Sequence, residues 1–169
     1  MNEKVAALLK DQVNKEFYSA YLYLAFSNYY YGVSLDGFGH WFEVQAREEQ
    51  EHAMKILKYL QDNNEKVTLE AIAAPNVSFS DNKAPLTAAL KHEQYVTSLI
   101  NAIYREARQC DDFRTCQFLD WFIAEQGEEE KNTSDLIAKF ELFGSDTKGL
   151  YLLNAELNGR ADTSAAAEA

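Results

Sequence analysis

Disulfide staples, chain breakers and excess positive charge are all scarce in this sequence. Two cysteines, Cys110 and Cys116, are too few and too close together to cross-link a chain of 169 residues, so reduced thiols and a cytoplasmic location are expected. The two prolines, Pro75 and Pro85, fall in one stretch, which leaves long helices unbroken everywhere else. Lys plus Arg number 16 against 27 Asp plus Glu, and the formal charge of −11 repels a phosphate backbone. Nucleic acid is therefore excluded as a partner, and cations are favoured. No run reaches the ~18–20 apolar residues of a membrane span. Met1–Lys10 carries Glu3, Lys4 and Lys10 around a short apolar patch, so neither membrane nor secretory leader is expected. What is present, 47% hydrophobic and 25% charged residues, is the mix of a globular protein able to bury one core.

Apolar residues recur at helical spacing, and no strand pattern competes. The spacing predicts helices over Glu3–Tyr31, Asp36–Asn63, Leu86–Arg108 and Phe113–Phe143. Ser34 or Asp36 is expected to cap the second, Asp111 or Asp112 the fourth, and Gly144 to end it. The links Gly32–Leu35 and Gln109–Asp112 permit only tight reversals, which makes two antiparallel hairpins. Between the hairpins, Asn64–Pro85 can span up to ~70 Å, against ~42 Å for the second helix. A crossover along the whole bundle, setting the second helix parallel to the third, is expected. Asp146 opens a short fifth helix with Leu150, Leu153 and Leu157 on one face, expected to be left for neighbouring subunits to cover. Residues 1–158 are expected to form one domain and 159–169 a disordered tail.

Stepping by sevens along each helix exposes one anomaly repeated in all four. The apolar stripes read Leu9, Glu16, Tyr23, Tyr30; Phe42, Glu49, Ile56; Leu86, Glu93, Ile100, Ala107; and Phe122, Glu129, Leu136, Phe143. Each is interrupted near its middle by a carboxylate. On the second helix the neighbouring stripe, Phe38, Gln45, His52, Tyr59, places His52 beside Glu49 as a Glu-x-x-His pair. Glu16 and Glu49 lie about 18 and 15 residues from the first turn, and Glu93 and Glu129 about 18 from the second, so the four can share one layer. Buried together they would repel and cost several kcal/mol each to desolvate unless cations or protons compensate. Carboxylates with one imidazole favour Fe²⁺ or Mn²⁺. An isolated acidic run such as EEQEH or EQGEEEK would be a solvated face. The four matched interruptions favour a metal centre instead. Gly127, inside the fourth helix, suggests a close backbone approach near that centre.

The segments NKEFYSAYLYL, REEQEHAMK, LKHEQY and WFIAEQGEEEK, in this order and spacing, resemble the non-haem bacterial ferritins over about residues 3–158. That resemblance implies an all-α, ferritin-like four-helix bundle with a short fifth helix. It implies one iron held by Glu16, Glu49 and His52, with Glu49 bridging to a second iron at Glu93 and Glu129, and Gln126 nearby. It further implies a third iron site from Glu48, Glu125, Glu128 and Glu129, and a redox-active Tyr23, although Tyr23 could equally hydrogen-bond a carboxylate. A 24-subunit shell with the fifth helix at fourfold contacts completes the resemblance. The implied activity is ferroxidation of Fe²⁺ by O₂ or peroxide, with ferric oxyhydroxide stored in the shell. Related families repeat Glu-x-x-His on the last helix, where this chain has Gln126-x-x-Glu129. Haem-binding relatives carry a methionine where this chain has Gln50, with Met54 on another face, so no haem is expected. Two rivals use the same residues: an O₂-activating di-metal oxidase acting on an organic substrate, and a non-catalytic metal-buffering bundle. His40 and His92 carry no assigned role.

Overall fold

The computed structural model describes residues 1–161, which contain five helices and no strand. These are α1 (Glu3–Gly32), α2 (Asp36–Asp62), α3 (Ala84–Gln109), α4 (Phe113–Phe143) and α5 (Thr147–Leu157). Of the expected tail, residues 159–161 are described; the rest lies outside the described residues. The turns into α2 and α4 reverse through Ser34 (φ 61°) and Asp111 (φ 56°), which occupy the left-handed region. Each hairpin is antiparallel, as the short links require.

Contacts at the bundle ends give the remaining directions. The C-terminal end of α1 meets the start of α3, where Tyr30 donates to the Asn82 carbonyl at 2.7 Å. The C-terminal end of α2 meets the start of α4, where the Tyr59 and Thr115 hydroxyls lie 2.9 Å apart. Helices α2 and α3 therefore run parallel, and the link between them must return along the bundle. It does so beside α1: Lys10 bonds Glu65 at 2.8 Å, Asn14 donates to the carbonyls of Glu70 and Ala71, and Phe79 packs on Phe26 and Tyr29.

The core falls into two apolar clusters. One gathers Phe26, Tyr30, Phe38, Phe42, Leu86 and Leu136. The other gathers Val5, Leu9, Ile56, Leu60, Ile100 and Phe122. Each large side chain buried in them contributes roughly 1.5–3 kcal/mol. Between them lies a buried polar layer holding Gln12, Glu16, Gln45, Glu49, His52, Glu93, Gln126 and Glu129.

Capping follows the sequence at Asp112 and Asp146, whose carboxylates accept from Thr115 N and Gly149 N. At α2 it does not. Leu35 occupies the N-cap and makes no side-chain hydrogen bond, and Ser34 serves the turn. The cap comes from α5: Asn154 Oδ1 accepts from Gly37 N at 2.9 Å and Phe38 N at 3.3 Å. Gly37 permits this approach, since a Cβ there would stand 1.7 Å from the Asn154 carbonyl oxygen. The docking also corrects the expectation for the fifth helix. Leu153 and Leu157 are buried and Leu150 partly buried within the subunit, against the Phe38 cluster. Tyr151 and Leu152, on the opposite side, are the exposed pair. Gly127 is corrected too: it is exposed, and a Cβ there would meet nothing within 4 Å.

Three substitutions check this. Asn154→Ala removes a side-chain cap and should destabilise the subunit by about 1 kcal/mol. Gly37→Ala should cost more, by displacing α5, whereas Gly127→Ala should stabilise by up to about 1 kcal/mol. Thermal unfolding of the three variants against the parent reads all of these.

Candidate metal centre

Four helices each deliver one carboxylate to the polar layer because each helix departs from its apolar stripe once, at the same height. Glu16, Glu49, Glu93 and Glu129 are at most 4% exposed. Glu16, Glu49 and His52 are brought together so that one ligand atom from each lies within 4.8 Å of the others. Two of their oxygens, Glu16 Oε2 and Glu49 Oε2, have no hydrogen-bond donor despite full burial. An orphaned buried carboxylate oxygen is costly, and a cation is the natural partner for it. His52 Nδ1 faces the same space, 3.5 Å from Glu49 Oε2. This donor set fits a hard divalent cation such as Fe²⁺ with coordination positions left open.

Glu93 and Glu129 are held differently. Tyr23 donates a short hydrogen bond to Glu93 Oε1, and Gln126 Nε2 donates to Glu93 Oε2 at 3.1 Å. The same Gln126 nitrogen reaches the Glu93 carbonyl and Thr97 Oγ1, so the amide is turned to Glu93. Gln45 Nε2 donates to Glu129 Oε2 at 2.7 Å, and Gln12 Nε2 to Glu16 Oε1 at 2.8 Å. Gln12 and Gln45 were not singled out from the sequence. The signal was there, since Gln12 precedes Glu16 by one helical turn and Gln45 shares the His52 stripe.

The outer acids have protein partners. His52 Nε2 lies 3.8 Å from Glu125 Oε1, so the imidazole is flanked by a carboxylate on each nitrogen. Glu48 Oε2 is bonded to Arg160 at 2.6 Å, and Glu128 is exposed. His92 turns out to be mostly buried, with Nε2 2.8 Å from Ser19 Oγ, and burial lowers it to about 4, so its imidazole is neutral. Trp121 packs edge-on to His52 at 5.4 Å. Met54 is exposed.

Crowding governs protonation. Burial, then the charge of Glu129, raises Glu93 to about 8 against the lowering hydrogen bonds of Tyr23 and Gln126. Burial and the Glu93 charge raise Glu49 well above the usual carboxylate range, and burial also raises Glu129. Burial alone would depress His52, but the carboxylates of Glu125 and Glu49 beside its two nitrogens carry it well above its ordinary value. Glu125, bonded to His52, is lowered. Tyr23 is raised by burial and by Glu93, so its phenol keeps its proton.

Comparisons with known proteins give the family and the fold. A family model described as a ferritin-like domain matches residues 6–143. The chain belongs to the ferritin family. A bacterial non-heme ferritin of Campylobacter jejuni is 36% identical over 152 residues, which cover 90% of this ferritin and 91% of that protein. The Staphylococcus aureus bacterial non-heme ferritin is 34% identical over 160 residues, covering 95% and 96%. The open-pore ferritin of the hyperthermophilic archaeon Archaeoglobus fulgidus superposes with a TM-score of 0.93 at 37% identity, over 95% of this chain and 99% of that one. The all-α bundle and the family expected from the sequence both stand, and among the described residues no helix is long and apolar enough to cross a membrane.

The sign of the pH dependence follows. Groups whose folded values are raised favour the folded state below their unfolded values and lose that contribution as pH rises through the folded ones. Glu93 sets a window from about 4.5 to about 8, and Glu49, Glu129 and His52 act in the same direction. Metal-free protein should therefore lose stability between pH 5 and pH 8, and Glu93→Gln should flatten the slope. Melting the metal-free protein across that range tests it; a parent that gains stability toward pH 8 would overturn the protonation scheme.

Proposed function

We propose that this iron-storage ferritin oxidises its own cargo, at a two-iron centre made by Glu16, Glu49, His52, Glu93 and Glu129. The observation that carries the reading is the pair of buried, donor-less oxygens on Glu16 and Glu49 beside His52 Nδ1. One Fe²⁺ would take those three side chains, and Glu49 would bridge to a second held by Glu93 and Glu129. Each Fe²⁺ gives one electron to O₂, two protons complete hydrogen peroxide, and hydrolysed ferric ion passes to storage. Iron is the substrate throughout.

The surrounding residues supply orientation and protons. Gln12, Gln45 and Gln126 each fix one carboxylate by an amide hydrogen bond. Glu125, on the far nitrogen of His52, would hold the imidazole with Nδ1 toward the metal, as carboxylates behind ligating histidines do. Tyr23 donates to Glu93, and we assign it the supply of an electron. Metal binding must expel the protons that crowding retains on Glu49 and Glu93, so iron affinity should rise with pH. We assign Glu48, Glu125 and Glu128, with Glu129, to a third, relaying cation.

Two exposed apolar patches support assembly into a shell, which we take to be a 24-mer. One lies on α1 and the crossover at Tyr21, Leu24, Leu69 and Ile72; the other lies at Leu142, Phe143, Tyr151 and Leu152. Patches of this kind on one chain mark surfaces meant for burial.

Stopped-flow absorbance after mixing with aerobic Fe²⁺ provides the test. Glu49→Ala should abolish the fast phase, falling by about 10²-fold or more as both irons lose a ligand. His52→Ala should slow it through one iron only. A Glu49→Ala protein that oxidises iron at the parent rate would overturn the centre. Glu48→Ala and Glu128→Ala should keep the first fast binding but change the iron oxidised per O₂, read with an oxygen electrode. An unchanged ratio and unchanged later turnovers would remove the third cation alone. Sedimentation of the native protein as a monomer or dimer would remove the shell.

A further inference from the structure

From the contacts of the segment after α5, we propose that Arg160 is a built-in competitor for the cation at Glu48: the guanidinium holds Glu48 when no cation is present and must leave when one binds. The inference rests on Glu48 being part of a cation site, as argued above. Arg160 is held by Glu48, Trp41 and His40. Its Nη2 donates to Glu48 Oε2 at 2.6 Å, and Nη1 donates to the Trp41 carbonyl at 3.3 Å. Its guanidinium carbon stands 4.6 Å over the Trp41 ring, and its own carbonyl oxygen lies 3.0 Å from His40 Nε2. The pair is mostly shielded from solvent, with side-chain exposures of 21% for Arg160 and 15% for Glu48. A planar cation sandwiched between a ring and a carboxylate is well held.

The contact has a consequence for cation traffic. A divalent ion on Glu48 and a guanidinium at 2.6 Å from the same carboxylate would repel one another strongly at partial burial. One must yield. Arg160 has somewhere to go: a cleft of about 370 Å³ opens beside it, lined also by Trp41, Asn132, Asp135 and Glu156. Its two carboxylates, Asp135 and Glu156, already pair with Lys131 and Lys139, and Lys139 also lines the cleft, so the displaced guanidinium would turn toward solvent there while Trp41 keeps the arginine stem. The residues that follow α5 thus set how readily Glu48 accepts an ion. Glu125, assigned to the same cation, lies beside His52, and Arg160 bonds Glu48.

The test is calorimetric titration of Zn²⁺, which O₂ does not oxidise, into the metal-free assembled protein. Arg160→Gln should tighten the weakest class of Zn²⁺ sites about 3- to 10-fold, the scale on which a charge pair of this exposure acts. Arg160→Ala should do the same, and Arg160→Lys, which keeps the charge, should stay near the parent. In a Glu48→Gln background Arg160→Gln should change nothing, and added salt should narrow the difference between parent and Arg160→Gln. Unchanged or weakened Zn²⁺ binding in both Arg160→Gln and Arg160→Ala, or equal tightening without Glu48, overturns the competitor role. If Glu48→Gln loses an ion while the arginine variants are silent, the competitor role alone falls. If Glu48→Gln leaves every Zn²⁺ site unchanged, the cation site falls and the inference with it.

Discussion

Four carboxylates buried at one level of a helical bundle are the constraint around which this molecule is arranged. Left alone they would repel and desolvate at a cost no packing could easily offset. The protein meets that cost with three glutamine amides, one tyrosine, one imidazole and retained protons. The apolar core is consequently divided, with one cluster toward the first turn and another toward the second. Those clusters supply the hydrophobic free energy that keeps the polar layer assembled. The layer is thus supported from both ends, and the oxygens in it that keep no donor are Glu16 Oε2, Glu49 Oε2 and Gln45 Oε1.

The two halves of the layer are satisfied unequally. Glu93 and Glu129 each have an oxygen engaged by protein donors, whereas Glu16 and Glu49 each keep an oxygen with none. On the Glu16–Glu49–His52 side Gln12 still holds Glu16 Oε1, and only the two Oε2 atoms lack a donor. On both sides a proton is retained, on Glu49 and on Glu93, and an incoming cation would have to displace it.

Helix α5 links this layer to the outer surface of the subunit. It is too short to be stable by itself, and it persists because Leu153 and Leu157 enter the core while Asn154 caps α2. The same docking carries Arg160 to Glu48. Core packing, the helix cap and the Arg160–Glu48 contact are therefore all positioned by one short element.

Much of the fold and part of the site were legible in the sequence. Helical period, two tight links and one long one imply two hairpins with a crossover, because loop reach and apolar spacing are local properties of the chain. The four interrupted stripes likewise announced Glu16, Glu49, Glu93 and Glu129, and i, i+3 spacing placed His52 beside Glu49. Tertiary structure alone decided that Asn154 caps a helix beginning far back at Asp36, that Leu150, Leu153 and Leu157 turn inward rather than toward a neighbour, and that Gly127 faces open space. It also chose the partners of each carboxylate: Gln45 for Glu129, Arg160 for Glu48, Glu125 for His52. Such pairings join residues distant in the chain, and no periodicity encodes which donor meets which acceptor. That choice is made only when packing brings the helices to a common height and burial makes every unpartnered polar atom costly.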